Sequence, residues 1–233
     1  MSEFDRYGEG GYERALERAI SFGGQDATFY NEVKAGRLVD LARRRIGDPS
    51  SLSALDVGAG IGLIDEHLTG DFARVVGLDV SSAMVERAAE RNPGAEYFEY
   101  DGATFPFEDG SFDLVFASCV FHHVPVGERT RLAAQMARVT RPGGLAVILE
   151  HNPINPATRF AVSRCEFDED AVLLRMSESR GLLASAGLRE HERAYILFFP
   201  FRNAIERRLG RLPMGAQYYV AGSPQGRTVS AAI

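Results

Sequence analysis

Two short stretches of this 233-residue chain carry side chains suited to moving protons. Phe121-His122-His123-Val124-Pro125 sets two imidazoles in tandem, and Glu150-His151-Asn152 sets a carboxylate, an imidazole and an amide in a row. Histidine titrates at about 6.5 when unperturbed, so each of these rings suits base work near neutrality. His151, His122 and Glu150 are the candidate catalytic residues. In a strand, alternation would place Glu150 and Asn152 on one face and His151 on the other. A third stretch suits binding. Leu55-Asp56-Val57-Gly58-Ala59-Gly60-Ile61-Gly62 reads as a buried strand that breaks into a glycine turn and then a helix. Glycines at alternate positions leave the turn without side chains, so a ligand can lie directly on its backbone.

Two acidic strand ends follow the turn, Asp79 in Gly77-Leu78-Asp79-Val80 and Asp101 in Tyr97-Phe98-Glu99-Tyr100-Asp101. Asp79 lies about 20 residues after the first glycine, the spacing at which an acid accepts hydrogen bonds from ribose hydroxyls. The ligand is therefore expected to be of the adenosine type. A dinucleotide fits less well, because Leu63 stands where the third glycine of that fingerprint belongs. A strand ending in an acid suits a ligand with a cationic part.

The elements that must position these residues follow from periodicity and breakers. Helices are expected over 12–20, 28–46, 63–68, 82–91 and 127–139. Strands are expected over 54–57, 74–78, 95–100, 112–117 and 145–150. Five βα repeats with short connections imply a parallel sheet covered on both faces. Beyond Glu150 a loop is expected over 151–164, then a helix over 168–186, a strand over 188–199, a short helix near 204–209 and a strand over 216–221.

The glycine turn, Gly77-Leu78-Asp79-Val80-Ser81, Asp101-Gly102-Ala103, Phe112-Asp113-Leu114-Val115-Phe116 and Arg141-Pro142-Gly143-Gly144 resemble the ordered motifs of class I S-adenosylmethionine-dependent methyltransferases, over roughly residues 52 to 150. The resemblance implies an α/β, Rossmann-like, seven-stranded, mostly parallel sheet with an antiparallel last strand. It further implies one domain, with 1–50 as an N-terminal helical lid, 51–150 as the cofactor-binding core and 151–233 as the acceptor side. S-adenosylmethionine would be the cofactor and S-adenosylhomocysteine the product. Gly58, Ala59 and Gly60 would face its methionine part, with Asp56 near the amino group and the Ser118 carbonyl on the ammonium. Asp79 would bind the ribose hydroxyls, Val80 would pack on the adenine, and Asp101 would accept from the adenine amino group. Gly102 or Ala103 would donate an amide to the ring. Tyr30, on the lid, and His123 are further candidate cofactor contacts.

The acceptor implied is a small molecule methylated on oxygen or nitrogen, and the stretch 150–156 resembles bacterial enzymes of sugar or secondary-metabolite pathways. A formal charge of −6 disfavours a nucleic-acid partner. Cys119 and Cys165 are too few for a disulfide framework, and no apolar run approaches the roughly 20 residues that span a bilayer. A cytoplasmic monomer or homodimer is expected, with no membrane partner. No metal site is expected, because Glu150 with Asn152 does not complete an oxygen ligand set. Arg159 and Arg164 are expected to pair with Asp168, Glu169 or Asp170. A non-catalytic S-adenosylmethionine-binding protein and a nicotinamide-dependent oxidoreductase are the alternatives.

Overall fold

The computed structural model describes residues 27–165, 168–197 and 209–224. Its first strand, β1 (Ser53–Val57), is buried at its last four residues. Such a strand has no solvent face, and it sits mid-sheet between β2 (Arg74–Asp79) and β4 (Phe112–Ser118), parallel to both. With β3 (Glu96–Glu99), β5 (Thr140–His151), β6 (Leu188–Ile196) and β7 (Gln217–Pro224), the seven strands run in the order β3-β2-β1-β4-β5-β7-β6. Only β7 runs antiparallel, pairing with β5 on one side and β6 on the other. The carboxyl ends of β1, β2, β4 and β5 thus open at one edge, where ligands of such sheets bind.

Each face of the sheet buries its own cluster. Leu55, Val57, Val115, Ala117, Ala146 and Ile148 meet Leu132, Ala133, Met136 and Val139 of α3 (Arg129–Val139). On the opposite face Ala54, Leu114, Phe116, Val147 and Leu149 meet Ala35, Leu38, Leu41 and Ala42 of α1 (Ala27–Arg45). The alternation along each strand is that of a sheet covered on both sides. α2 (Ser82–Arg91) is capped by Ser81, whose hydroxyl accepts the Met84 amide. α4 (Pro156–Val162) starts at Asn155, whose side chain accepts the Ala157 and Thr158 amides, with proline at the first helical position. α5 (Met176–Ser185) packs against α3 and β6.

Four expectations need correction. The stretch 63–68 is not an α-helix but turns with one 3-10 turn, Asp65–His67, because the backbone leaves the glycine turn at a positive φ of 71° at Gly62. The loop expected over 151–164 contains α4, since Asn155-Pro156 is a helix start rather than a turn. The helix expected from Asp168 begins only at Met176. Tertiary hydrogen bonds hold the preceding segment out of helix: the Val172 amide donates to the His122 carbonyl, and Arg129 and Tyr218 donate to the carbonyls of Val172 and Leu174. β5 starts at Thr140 rather than Leu145, with a register shift opposite Phe112 and Leu114. The helix expected over 12–20, most of that near 204–209 and the end of the strand expected to 199 lie outside the described residues. Among the described residues no helix is long and apolar enough to cross a membrane.

Tyr218 ties β7 to α5, its fully buried hydroxyl meeting Ser179 at 2.8 Å and the Leu174 carbonyl at 2.9 Å. Tyr218→Phe leaves both groups short of a partner and is expected to cost about 1–3 kcal/mol, read as a lower urea midpoint at unchanged slope.

Candidate active site

The glycine turn follows from the strand that feeds it. Gly58, Gly60 and Gly62 all adopt positive φ, at 74°, 56° and 71°. A Cβ at Gly58 would come within 2.6 Å of the Val120 side chain, so packing as well as φ demands glycine there. The amides of Gly58 and Ala59 both donate to the Leu78 carbonyl at the end of β2. Asp79 then cross-links the two strand ends: its Oδ2 accepts the Gly60 amide at 2.8 Å and its Oδ1 the Ser81 amide at 3.0 Å. Each carboxylate oxygen has a second lone pair, so the same group can still accept from a ligand hydroxyl.

Asp56, at the end of β1, is buried at 3 % exposure and faces Asp65, which has no exposed surface. One oxygen of each carboxylate has no hydrogen-bond partner. Asp65 also accepts the Tyr97 hydroxyl at 2.9 Å. Burial, then the charges of Asp65 and Asp79, raise Asp56 well above the usual carboxylate range, although Lys34 opposes them. Burial likewise lifts Asp65 to about 7. An orphaned carboxylate oxygen in such surroundings fits a ligand that brings an ammonium group. Farther along the edge, Val80 is 41 % exposed, an apolar side chain beside Gly102 that fits a flat ring. Asp101 closes its own turn, its Oδ1 accepting the Ala103 and Thr104 amides, and those hydrogen bonds lower its pKa. Ser118 ends β4 with a buried hydroxyl lacking a partner. Tyr30, half-buried on α1, packs edge-to-face on Phe29 at 5.5 Å. The unpartnered oxygen of Asp56, the bare glycine turn and the exposed Val80 are chemically compatible with S-adenosylmethionine.

The proton-transfer candidates fall into two adjoining groups. In the first, Glu150 Oε2 lies 2.6 Å from His122 Nδ1, while Oε1 accepts the Phe121 amide at 2.8 Å. His122 Nε2 reaches Asp168 Oδ1 at 3.2 Å, and His123 Nε2 reaches the same oxygen at 3.4 Å. Burial opposes charge on His122, yet Glu150 and Asp168 outweigh it and hold the imidazolium form well above its usual range. Burial and the neighbouring His122 push His123 down to about 4. In the second group, Gln217 Nε2 lies 3.3 Å from both His151 Nδ1 and Cys119 Sγ, and Lys34 Nζ lies 4.0 Å from that sulfur. Burial disfavours the Cys119 thiolate, but His151 and Lys34 bring the thiol down to about 7. In return Cys119 raises His151 against its own burial. The His122 and His151 rings are 5.2 Å apart.

Alternation in β5 therefore separates Glu150 from His151 as expected, and the loop after β4 serves both. Asp168 binds histidines, not the arginines expected for it; Arg164 instead lies over the Phe160 ring at 5.4 Å. Asp65, Cys119 and Gln217 did not stand out in the sequence. A lone acid in the apolar run Ile61-Gly62-Leu63-Ile64-Asp65 was the one signal for Asp65. Cys119 carries a positive φ of 59°, which no sequence pattern announces.

The 3-2-1-4-5-7-6 strand order with β7 antiparallel, the glycine turn after β1 and the acid after β2 define a class I, Rossmann-like methyltransferase fold. Residues 55–148 match the methyltransferase domain family, and with the fold that match supports a class I S-adenosylmethionine-dependent methyltransferase. A methyltransferase of Mycobacterium sp. (strain KMS) is 37% identical over 100 residues, 43% of this chain and 39% of that protein. The 27-O-demethylrifamycin SV methyltransferase of Amycolatopsis mediterranei is 37% identical over 115 residues, 46% of this chain and 40% of that protein. The matches thus span about two-fifths of these relatives' length. An S-adenosylmethionine-dependent methyltransferase of Thermotoga maritima superposes with a TM-score of 0.65 at 19% identity, covering 92% of this chain and 98% of the other. At that identity the likeness is one of fold.

Asp65 binds a proton more tightly folded than unfolded, so its contribution to stability falls as pH rises from about 4 through about 7. Asp65→Asn keeps an acceptor for Tyr97 and is expected to flatten that fall. The gain at pH 8 is on the order of 4 kcal/mol, read from urea unfolding of both proteins at pH 5 and 8.

Proposed function

We propose that this protein transfers a methyl group from S-adenosylmethionine to an oxygen or nitrogen of a small organic acceptor, as a sugar or secondary metabolite would offer. The observation that carries the reading is the meeting of two sites at one sheet edge. The cross-linked glycine turn and Asp79 lie at the ends of β1 and β2, and the imidazole, thiol and carboxylate groups lie at the ends of β4 and β5. The relative named for 27-O-demethylrifamycin SV supports an oxygen acceptor.

In this reading the cofactor supplies an electrophilic methyl group on a sulfonium centre. The chain must hold that group, align the acceptor in line with it and remove a proton where the acceptor is a hydroxyl. Gly58, Ala59 and Gly60 present backbone to the amino acid part, Asp56 and the Ser118 carbonyl receive its ammonium, and Asp79 receives the ribose hydroxyls. Val80 covers one face of the adenine, with Asp101 and the Gly102 amide at its edge. Tyr30 and Lys34 of α1 border the amino acid end. His151 takes the acceptor's proton, positioned by Gln217 and Cys119. His122 and Glu150 brace the loop after β4 through their mutual hydrogen bond.

Asp79→Ala is expected to weaken S-adenosylmethionine binding about 10- to 100-fold by calorimetry, the loss of hydrogen bonds to a charged group, with an unchanged far-ultraviolet spectrum. Unchanged affinity, or tight binding of NAD in place of S-adenosylmethionine, would sink the assignment. His151→Asn is expected to keep cofactor affinity and lower turnover of a hydroxyl acceptor by about 10²–10⁴-fold, measured as S-adenosylhomocysteine released. Wild-type protein that binds the cofactor yet releases no product with a broad acceptor panel would favour a binding protein without transferase activity.

A further inference from the structure

The spacing in the His122 group separates two kinds of contact. The His122 Nδ1 to Glu150 distance, 2.6 Å, is a tight charge-assisted hydrogen bond. The other two approaches, 3.2 Å from His122 Nε2 and 3.4 Å from His123 Nε2 to one oxygen of Asp168, are longer than such bonds, which run about 2.7–2.9 Å. They also match the edges of a coordination shell. An ion about 2.1 Å from each ligand atom, the usual distance for zinc with imidazole and carboxylate, would subtend roughly 100–110° across these edges. The three ligand atoms all lie within 4.8 Å of one another.

We propose that His122, His123 and Asp168 form a binding site for one divalent transition-metal ion, zinc by ligand type. Two imidazoles and one carboxylate are the donor set that favours zinc, iron, cobalt or nickel over magnesium or calcium. Glu150 supplies the outer carboxylate that metal-ligating histidines almost always have. It has no exposed surface, is anchored by the Phe121 amide and fixes Nδ1 of His122 as the donor, so Nε2 is the nitrogen presented to Asp168. His122 and His123 are neighbours in a loop turned by the Val120–His123 hydrogen bond, which brings both rings to one side, 4.1 Å apart. Asp168 sits in a 3-10 turn, its amide donating to the Cys165 carbonyl and its carbonyl accepting the Ala171 amide, and the Val172 amide on the His122 carbonyl ties that turn to the histidine loop. Three protein ligands leave at least one position for water or an oxygen of a small molecule. The site stands on its own geometry and does not depend on methyl transfer.

The test uses the full-length protein after chelator treatment, titrated with Zn²⁺ against a chromophoric competitor and with Co²⁺ followed by its visible absorption. About one equivalent is expected to bind, and His123→Ala and Asp168→Ala are each expected to weaken binding at least 100-fold. Glu150→Gln, which keeps all three ligands, is expected to weaken it about 10- to 100-fold. Cys119→Ser is expected to bind as wild type. Near-ultraviolet dichroism of each variant confirms folding, and the partly exposed His123 makes its alanine variant the decisive one. No ion bound by the wild type, equal affinity in His123→Ala and Asp168→Ala, or loss of the ion in Cys119→Ser would each overturn the proposal. S-adenosylmethionine affinity measured on the same samples separates the two readings. Protein that binds the cofactor but no zinc refutes the metal site alone, and the reverse refutes the cofactor alone.

Discussion

Glu150 is a carboxylate with no exposed surface at the end of a sheet strand, and two loops are folded around the need to compensate it. Isolated burial of such a charge would cost several kcal/mol. The loop after β4 answers with an amide from Phe121 and an imidazole from His122, and the segment after α4 adds Asp168 behind that imidazole. Removing Glu150 would remove the reason for the loop's path as well as one hydrogen bond. The same loop sets Cys119 beside Gln217 and Val120 against Gly58, with the Cys119 amide also tied to the Leu149 carbonyl.

The opposite half of the edge is built on a different economy. Asp79 is satisfied by backbone amides of the turn and of the α2 start, so it is rigid before any ligand arrives. Asp56 and Asp65 are the reverse, a pair of buried carboxylates with an unpartnered oxygen each. One acid thus organises the turn, and burial makes the other two hold their protons well above the usual carboxylate range. A cationic ligand group would favour their ionised form, whereas a neutral or anionic one would not.

The central strands were legible because a strand buried on both faces leaves a continuous apolar run, and 53–57, 74–79 and 112–118 each carry one. α2 was legible to the residue, since Ser81 caps it and Asn92 ends it. The glycine turn and the acids after β1 and β2 were legible as a pattern of types and spacing. Legibility failed where distant residues decide local conformation. Asp168 to Arg175 has the composition of a helix start, but hydrogen bonds from Arg129 and Tyr218 claim its carbonyls, and a sequence window cannot see those donors. Gln217 joined His151 and Cys119 only through β5–β7 pairing, and the histidine network needed Asp168 from a segment 46 residues away.

The antiparallel β7 is inserted between β5 and β6, although β6 precedes it in the chain. A growing chain therefore makes β5 and β6 first and must leave them apart, each with an open hydrogen-bonding edge, until residues 217–224 arrive to fill the gap. Pairing of that kind is non-local and slow, and unfilled edges invite association with other chains. Because Gln217 enters with the same strand, closing the sheet and completing the polar surroundings of His151 are one event. Assembly order thus couples the chemistry at this edge to the final step of folding, so a misassembled sheet would also lack this group.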